Sequence, residues 1–401
     1  MSILSLLTLK ERQRTSVLSK RWRYLWTFTT CRLDFNDSRS LSLVRRKTSD
    51  QQNFSHNCIV LAIVENIESE RRNRFVSWVN SVLELHQGNT IDEFRVVFDM
   101  DGRKFKSEID NWICFSLRKK VKKLSLDFMM NGVANAYTLT SQIFHSCSLD
   151  SLTDLSLASV EVTGEVLEYV LSNCPFIEIL HVENSNSLVK LKTSSPLPKL
   201  KHLVLNCRFL KQIQISAINL VSFKYSGLYK RIKILLGDVP NFVDLYVKNV
   251  TDDCFHYFLQ NDCPLSRYLS QLETLELDLF TTVSHKFHCE LHCAFSFFIH
   301  QRLYVNVFLF LGSIVQDSFQ VPKFPELRNL RQLKLDIYPC NSSLRCCVSL
   351  LNASPVLHRF VLKVMLIILE FFFFFFLLKV MFMILELWDL LCRHFIIYVF
   401  T

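Results

Sequence analysis

A six-residue pattern, apolar-x-x-apolar-x-apolar, returns along most of this chain and limits its fold more than any other feature. It stands at Val121-Lys122-Lys123-Leu124-Ser125-Leu126, Leu152-Thr153-Asp154-Leu155-Ser156-Leu157, Ile177-Glu178-Ile179-Leu180-His181-Val182 and Leu200-Lys201-His202-Leu203-Val204-Leu205. It continues from Leu220 to Tyr225, Phe242 to Val247, Leu272 to Leu277, Leu330 to Leu335 and Leu357 to Leu362. The last two apolar positions of each hexad lie two residues apart, which on a strand places them on one face. The central residues Leu124, Leu155, Leu180, Leu203, Phe223, Leu245 and Leu275 follow one another at intervals of 20–31 positions. A unit of that size cannot bury its apolar face alone, so each needs its neighbours.

The interval is close to the ~20–29 residues of leucine-rich repeats. The expected fold is therefore α/β: a solenoid with a curved parallel sheet, each repeat giving one strand. Helix-like pieces such as Val166 to Leu171, closed by Asn173-Cys174-Pro175, sit between strands. An ordinary α/β domain is the alternative, because a single apolar run is a weak signal and only the period carries weight. Ahead of the repeats, Cys31 to Phe35 alternates as a strand, and Asn36 to Asn57, including Arg45-Arg46-Lys47, reads as a polar surface loop. Phe75, Val76, Val79, Val82 and Leu83 share a helix face that ends near Gly88. Phe94 to Phe98 alternates as a strand, and Ile109, Trp112, Ile113 and Phe115 to Leu117 suggest a second helix.

At the N-terminus, Leu18, Trp22 and Leu25 recur at i, i+4 and i+7, one face of a helix, with Lys20, Arg21 and Arg23 largely opposite. Thr8 and Glu11 have capping-box spacing, and Ile3, Leu4, Leu6 and Leu7 form an apolar segment before them. Two or three short helices in under thirty residues cannot enclose a core. They must pack on the next domain or on a partner.

Ile3 to Leu7, Lys10-Glu11 and Arg14 to Trp26 resemble the second and third helices of a plant F-box. Arg12 and Gln13 depart from it, standing where that family usually has small or apolar residues, and its first helix, with a Leu-Pro pair, has no counterpart here. The helix–strand–helix–strand order before Phe128 is similar to the opening of the repeat region in the plant F-box/leucine-rich-repeat proteins of FBD type. The resemblance implies docking to a Skp-type linker protein, and through it a cullin, by Leu4, Leu7, Val17, Leu18, Trp22, Leu25 and Trp26. It implies a non-catalytic adaptor of a ubiquitin ligase whose repeats bind an unknown target protein. Two alternatives stand beside it: a leucine-rich interaction protein without ligase association, because the F-box is incomplete, and a helical hairpin that merely caps the next domain.

The domain reading is a partial F-box over 1–30, a linker and opening repeat region over 31–120, and repeats over 121–280. A probable insertion follows over 281–320, then the last repeats over 321–363 and a Phe-rich tail over 364–401. Both odd segments break sharply in composition, the pattern of intron sequence translated in frame. In the tail, Glu370, Lys379 and Glu386 interrupt the apolar runs, so no clean span of ~20 apolar residues exists and a membrane anchor is disfavoured.

Fourteen cysteines show no framework spacing, and no cleavable leader precedes the helices, which fits reduced thiols in cytoplasm or nucleus. A net charge of +9, spread along the chain, does not mark a nucleic-acid binder. Arg118 to Lys123 reads as charge on a helix C-terminus and a solvated edge, with a nuclear-import patch as the alternative. His285, His288, Cys289, His292 and Cys293 offer i, i+4 ligand pairs, but no companion pair, so no metal is assigned. There is no Gly-rich phosphate loop, no G-x-S-x-G and no H-E-x-x-H, and no cofactor or catalytic residue is assigned. Asp154, Glu178, Asp244, Glu273 and Asp278 alternate with strand apolar residues and read as solvent-facing.

Overall fold

The last four residues of each hexad fold as strand, and its last two apolar residues are buried. The computed structural model describes residues 4, 6–20, 22–28, 31–37, 58–128, 136–145, 147–227, 232–250, 266–279, 325–337, 347, 349–365 and 395–400. The chain divides into two units, residues 1–220 with 236–240, and residues 221–235 with 241–401.

The first unit holds helix α1 (Leu9–Arg14), strand β1 (Arg32–Asn36), helix α2 (Cys58–Leu85), β2 (Glu93–Val97), α3 (Lys106–Arg118) and β3 (Lys123–Asp127). The short helix α4 (Gln142–His145) follows, then β4 (Asp154–Ala158), α5 (Gly164–Asn173), β5 (Ile179–Glu183), β6 (Lys190–Lys192), β7 (His202–Asn206) and β8 (Gln212–Gln214). β1, β2, β3, β4, β5 and β7 pair in that order, all parallel. Leu33, Phe94, Leu124, Leu155, Leu180 and Leu203 form one buried row across this ladder, and Phe35, Val96, Leu126, Leu157, Val182 and Leu205 form the next. Full burial of each such side chain contributes about 1.5–3 kcal/mol.

The hexad's first apolar residue has a different task. The N–H of Leu152 donates to the carbonyl of Leu149 at 3.1 Å, that of Ile177 to Cys174 at 3.3 Å, and that of Leu200 to Leu197 at 3.3 Å. Each turn leads the chain into its strand. The next residue's carbonyl then accepts two N–H groups from the following repeat: Lys122 takes Thr153 and Asp154, Thr153 takes Glu178 and Ile179, and Glu178 takes Lys201 and His202, at 2.7–3.1 Å. One hexad thus encodes a turn, a hinge carbonyl shared between repeats, and a half-buried strand.

α3 buries Ile109, Trp112, Ile113 and Leu117, and α5 buries Leu167, Val170 and Leu171. The Thr163 hydroxyl caps α5 by accepting from the Val166 N–H at 3.4 Å. β6 and β8 pair parallel to one another. They escape a sequence reading because a three-residue strand with one buried apolar residue, Leu191 or Ile213, has no period.

α2 begins at Cys58, well before the first periodic residue, Phe75. Between Glu65 and Arg74 the support is ionic: Glu68 pairs with Arg72 at 3.5 Å and Glu70 with Arg74 at 3.6 Å, both i, i+4. Most of the expected loop before it, 38–57, lies outside the described residues.

The second unit repeats the plan with β9 (Ser222–Ser226), β10 (Lys233–Leu235), β11 (Asp244–Val250), β12 (Thr274–Leu279), β13 (Gln332–Ile337), β14 (Arg359–Met365) and β15 (Phe395–Phe400). β9, β11, β12, β13, β14 and β15 pair in order, all parallel. Phe223, Leu245, Leu275, Leu333 and Phe360 make one buried row in register. The end of the segment expected as a Phe-rich tail supplies β15. Among the described residues no helix is long and apolar enough to cross a membrane.

Candidate functional site

The N-terminal residues build a small cap on the first unit. The capping box is formed: the Glu11 N–H donates to the Thr8 hydroxyl at 3.3 Å, and the Thr8 N–H donates to the Glu11 carboxylate at 2.8 Å. These bonds with Thr8 hold the Glu11 carboxyl below its ordinary value. Past α1 the short helix expected to carry Leu18, Trp22 and Leu25 on one face does not form. Residues Thr15–Val17 and Leu25–Phe28 are single 3-10 turns, with turn residues between. The cause is local competition from hydroxyls for backbone groups. Thr15 donates to the Arg12 carbonyl at 2.6 Å, Ser16 to the Arg23 carbonyl at 3.1 Å and Thr27 to the Tyr24 carbonyl at 2.7 Å, while the Ser19 hydroxyl accepts from the Trp22 N–H at 3.4 Å.

The seven residues expected to dock the linker differ in exposure. Leu4 (2 % exposed) and Trp26 (5 %) are buried in the unit, so they support the cap from beneath. Leu7, Trp22 and Leu25 are half-buried. Val17 (87 %) and Leu18 (66 %) stand in solvent. Leu6, Tyr24 and Phe28 are exposed as well. Helical periodicity missed Tyr24 and Phe28, which face outward once their segment is broken into turns, while Leu6 precedes α1 in the apolar segment evident from sequence. Exposed apolar side chains grouped on one small element mark an interaction surface more often than an isolated exposed leucine does.

The second candidate surface is the open face of the ladders, formed by the strand positions between the buried ones. In the first unit Arg32 pairs with Asp34 at 3.2 Å and Glu93 at 3.1 Å, and Lys123 with Asp154 at 3.8 Å. In the second, Lys334 pairs with Glu276 at 3.2 Å and Lys363 with Asp336 at 3.6 Å. Burial, then Asp278, Glu276 and Asp336, pushes the Tyr246 phenol up to about 12. Asp154, Asp244 and Asp278 lie on these faces, half-buried, whereas Glu178 and Glu273, expected there too, precede their strands at the shared-carbonyl position.

One row has the order of a hydrolytic triad. Ser156 Oγ lies 3.4 Å from His181 Nδ1, and His181 Nε2 lies 3.3 Å from Glu183. The surroundings do not complete it. The strand amides of β4 and β5 are spent in the ladder, leaving no backbone N–H pair there to receive an oxyanion.

The basic run Arg118 to Lys123 closes α3. Lys119 Nζ donates to the Gly88 carbonyl at 2.7 Å, Lys122 pairs with Asp92 at 2.8 Å, and Lys120 takes the left-handed φ of 54° at the helix end. The histidine and cysteine set from His285 to Cys293 lies outside the described residues; among those described, no group of three or more His, Cys, Asp or Glu side chains is placed to hold a metal ion.

The family described as At1g61320/AtMIF1, LRR domain, matches residues 82–292. Among curated proteins of Arabidopsis thaliana, the chain is 28 % identical to F-box/FBD/LRR-repeat protein At1g13570 over 267 residues, covering 60 % of this chain and 57 % of that protein. It is 28 % identical to F-box/LRR-repeat protein At2g42730 over 261 residues, 60 % of this chain and 51 % of that one. F-box/LRR-repeat protein At3g59200 is 28 % identical over 259 residues, 61 % and 42 % of the two. The chain thus spans about half the length of the curated relatives it matches.

Proposed function

The chain belongs to the At1g61320/AtMIF1 leucine-rich-repeat family, and from that premise we propose that it recruits a target protein to a Skp–cullin–F-box ubiquitin ligase. The exposed cap residues Val17, Leu18, Leu6, Tyr24 and Phe28, with half-buried Leu7, Trp22 and Leu25, dock a Skp-type linker. The ladder face holds the target. The chain itself contributes no bond-making chemistry; holding two partners on one body raises the effective concentration of acceptor lysines near the conjugating enzyme. The reading places the protein in cytoplasm or nucleus.

The observation that carries this reading is an apolar cap left open on a chain whose relatives are named F-box proteins. Titration calorimetry of the full chain with a purified Skp-type linker tests it. Saturable one-to-one binding is expected, and an absence of heat at high linker concentration contradicts it. A second reading, a leucine-rich interaction protein free of the ligase, draws on the burial of Leu4 and Trp26 and on a family match that begins at residue 82. It requires the calorimetric result to be negative.

A further inference from the structure

Arg12 and Gln13 depart from the F-box pattern, and their side chains make the hydrogen bonds that tie α1 to β1 and α2, beside a partly exposed Lys10–Asp37 ion pair at 3.7 Å. Arg12 is buried, with Nε donating to the Leu7 carbonyl at 2.9 Å and a terminal nitrogen donating to the Arg32 carbonyl on β1 at 2.9 Å. The same nitrogen lies 3.9 Å from Cys31 Sγ. The Gln13 side-chain oxygen accepts from Trp78 Nε1 on α2 at 3.1 Å. Trp78 is itself set by Phe35 and Phe75, edge-on with ring centroids 5.2 and 5.8 Å away, and Lys10 lies 5.0 Å over its ring. A small apolar residue at either position could make neither bond.

We propose that Arg12 and Gln13 are positioning residues: they clamp α1 and the Val17–Leu18 docking edge onto β1 and α2, fixing the docking surface relative to the strand face of the first unit. A guanidinium bonded to carbonyls on both sides resists rotation better than a dispersive contact, because charge-assisted bonds are directional and strong. The later 3-10 turn has its own tie, the Thr27 carbonyl accepting from the N–H groups of Gln87 at 2.8 Å and Gly88 at 3.2 Å. Loss of the clamp thus loosens the α1 end, which keeps buried Leu9 and the partly exposed Lys10–Asp37 pair, and leaves the Thr27 end in place. The use of this fixity, holding the partner and the target at a set separation, rests on the docking reading above.

The test is a distance distribution between spin labels on azide-bearing residues introduced at Arg14 and Glu165 of the full chain, which bypass the native thiols. The parent is expected to give one narrow distribution. Arg12→Ala/Gln13→Ala is expected to broaden it about twofold, with hydrogen exchange in β3, β4 and β5 unchanged and linker affinity retained. Gln13→Glu, which keeps an acceptor for Trp78, should stay narrow. A double variant as narrow as the parent, or a parent already broad, overturns the clamp. A narrow parent that fails to bind the linker removes the docking reading and leaves the clamp standing.

Discussion

Leu275 and Leu333 stand side by side in register on β12 and β13, although 58 positions separate them. The steps on either side, Leu245 to Leu275 and Leu333 to Phe360, take 30 and 27 positions. One step of the ladder therefore carries about twice the usual length of chain without displacing a strand. The junction is as well bonded as its neighbours: the Glu273 carbonyl accepts from Arg331 and Gln332 at 2.9 and 3.0 Å, and the Asn329 amide donates to the Ser270 carbonyl at 3.1 Å.

Deleting residues 281–320 is expected to leave the ladder folded, because shortening a long connection alters closure entropy only slightly. Thermal unfolding followed by circular dichroism should show a midpoint equal to or above that of the parent. A chain that no longer unfolds cooperatively would show that the segment belongs to the repeats.

The two kinds of strand position should differ sharply in cost. Leu203→Ala empties a fully buried site in the first unit and is expected to lose about 2–5 kcal/mol. Its neighbour His202 is half-buried on the open face, and His202→Ala should change stability by no more than about 0.5 kcal/mol. Urea unfolding of the two variants checks the contrast, and equal losses would contradict the assigned register.

Asp99 is buried and paired with two arginines, Arg72 at 2.8 Å and Arg71 at 3.6 Å. Burial lowers the Arg71 guanidinium pKa and Asp99 opposes that shift. Removing the shared carboxylate leaves two partly buried cations without it, so Asp99→Ala is expected to cost about 3–5 kcal/mol. Denaturant melts of Asp99→Ala should show that loss, with Arg74→Ala, on an exposed pair, showing little.

The second unit carries a pH signature. Burial raises the Asp278 carboxyl; Lys248 and Lys363 oppose the shift, and Asp336 and Glu276 add to it. A carboxyl raised on folding favours the native state while protonated, and that contribution is lost as pH rises through the folded value. Asp278→Asn keeps the neutral form at all pH. Its melting temperature should match the parent in acid and exceed it at neutral pH in scanning calorimetry. A neutral-pH midpoint below the parent's would contradict the assigned direction.

Much of this architecture is readable from residue types. The period from Leu124 to Leu275 marks each strand of the two long ladders between them, because burial of alternate residues forces the spacing, while the three-residue strands β6, β8 and β10 carry no period. The N-terminal cap resists the same reading. Leu18, Trp22 and Leu25 have helical spacing, but Thr15, Ser16, Ser19 and Thr27 take the backbone groups a helix would need, and spacing rules do not weigh hydroxyls against periodicity. The roles of Arg12 and Gln13 depend on Arg32 and Trp78, twenty and sixty-five positions away, which no local pattern connects.

The most direct test of the account separates the cap's surface from its support. Linker affinity and thermal midpoint should be measured together for Val17→Asp/Leu18→Asp and for Leu4→Ala/Trp26→Ala in the full chain. The exposed pair should abolish binding with an unchanged midpoint, and the buried pair should lower the midpoint. Full binding by Val17→Asp/Leu18→Asp would contradict the claim that this exposed edge is where the chain meets the ligase.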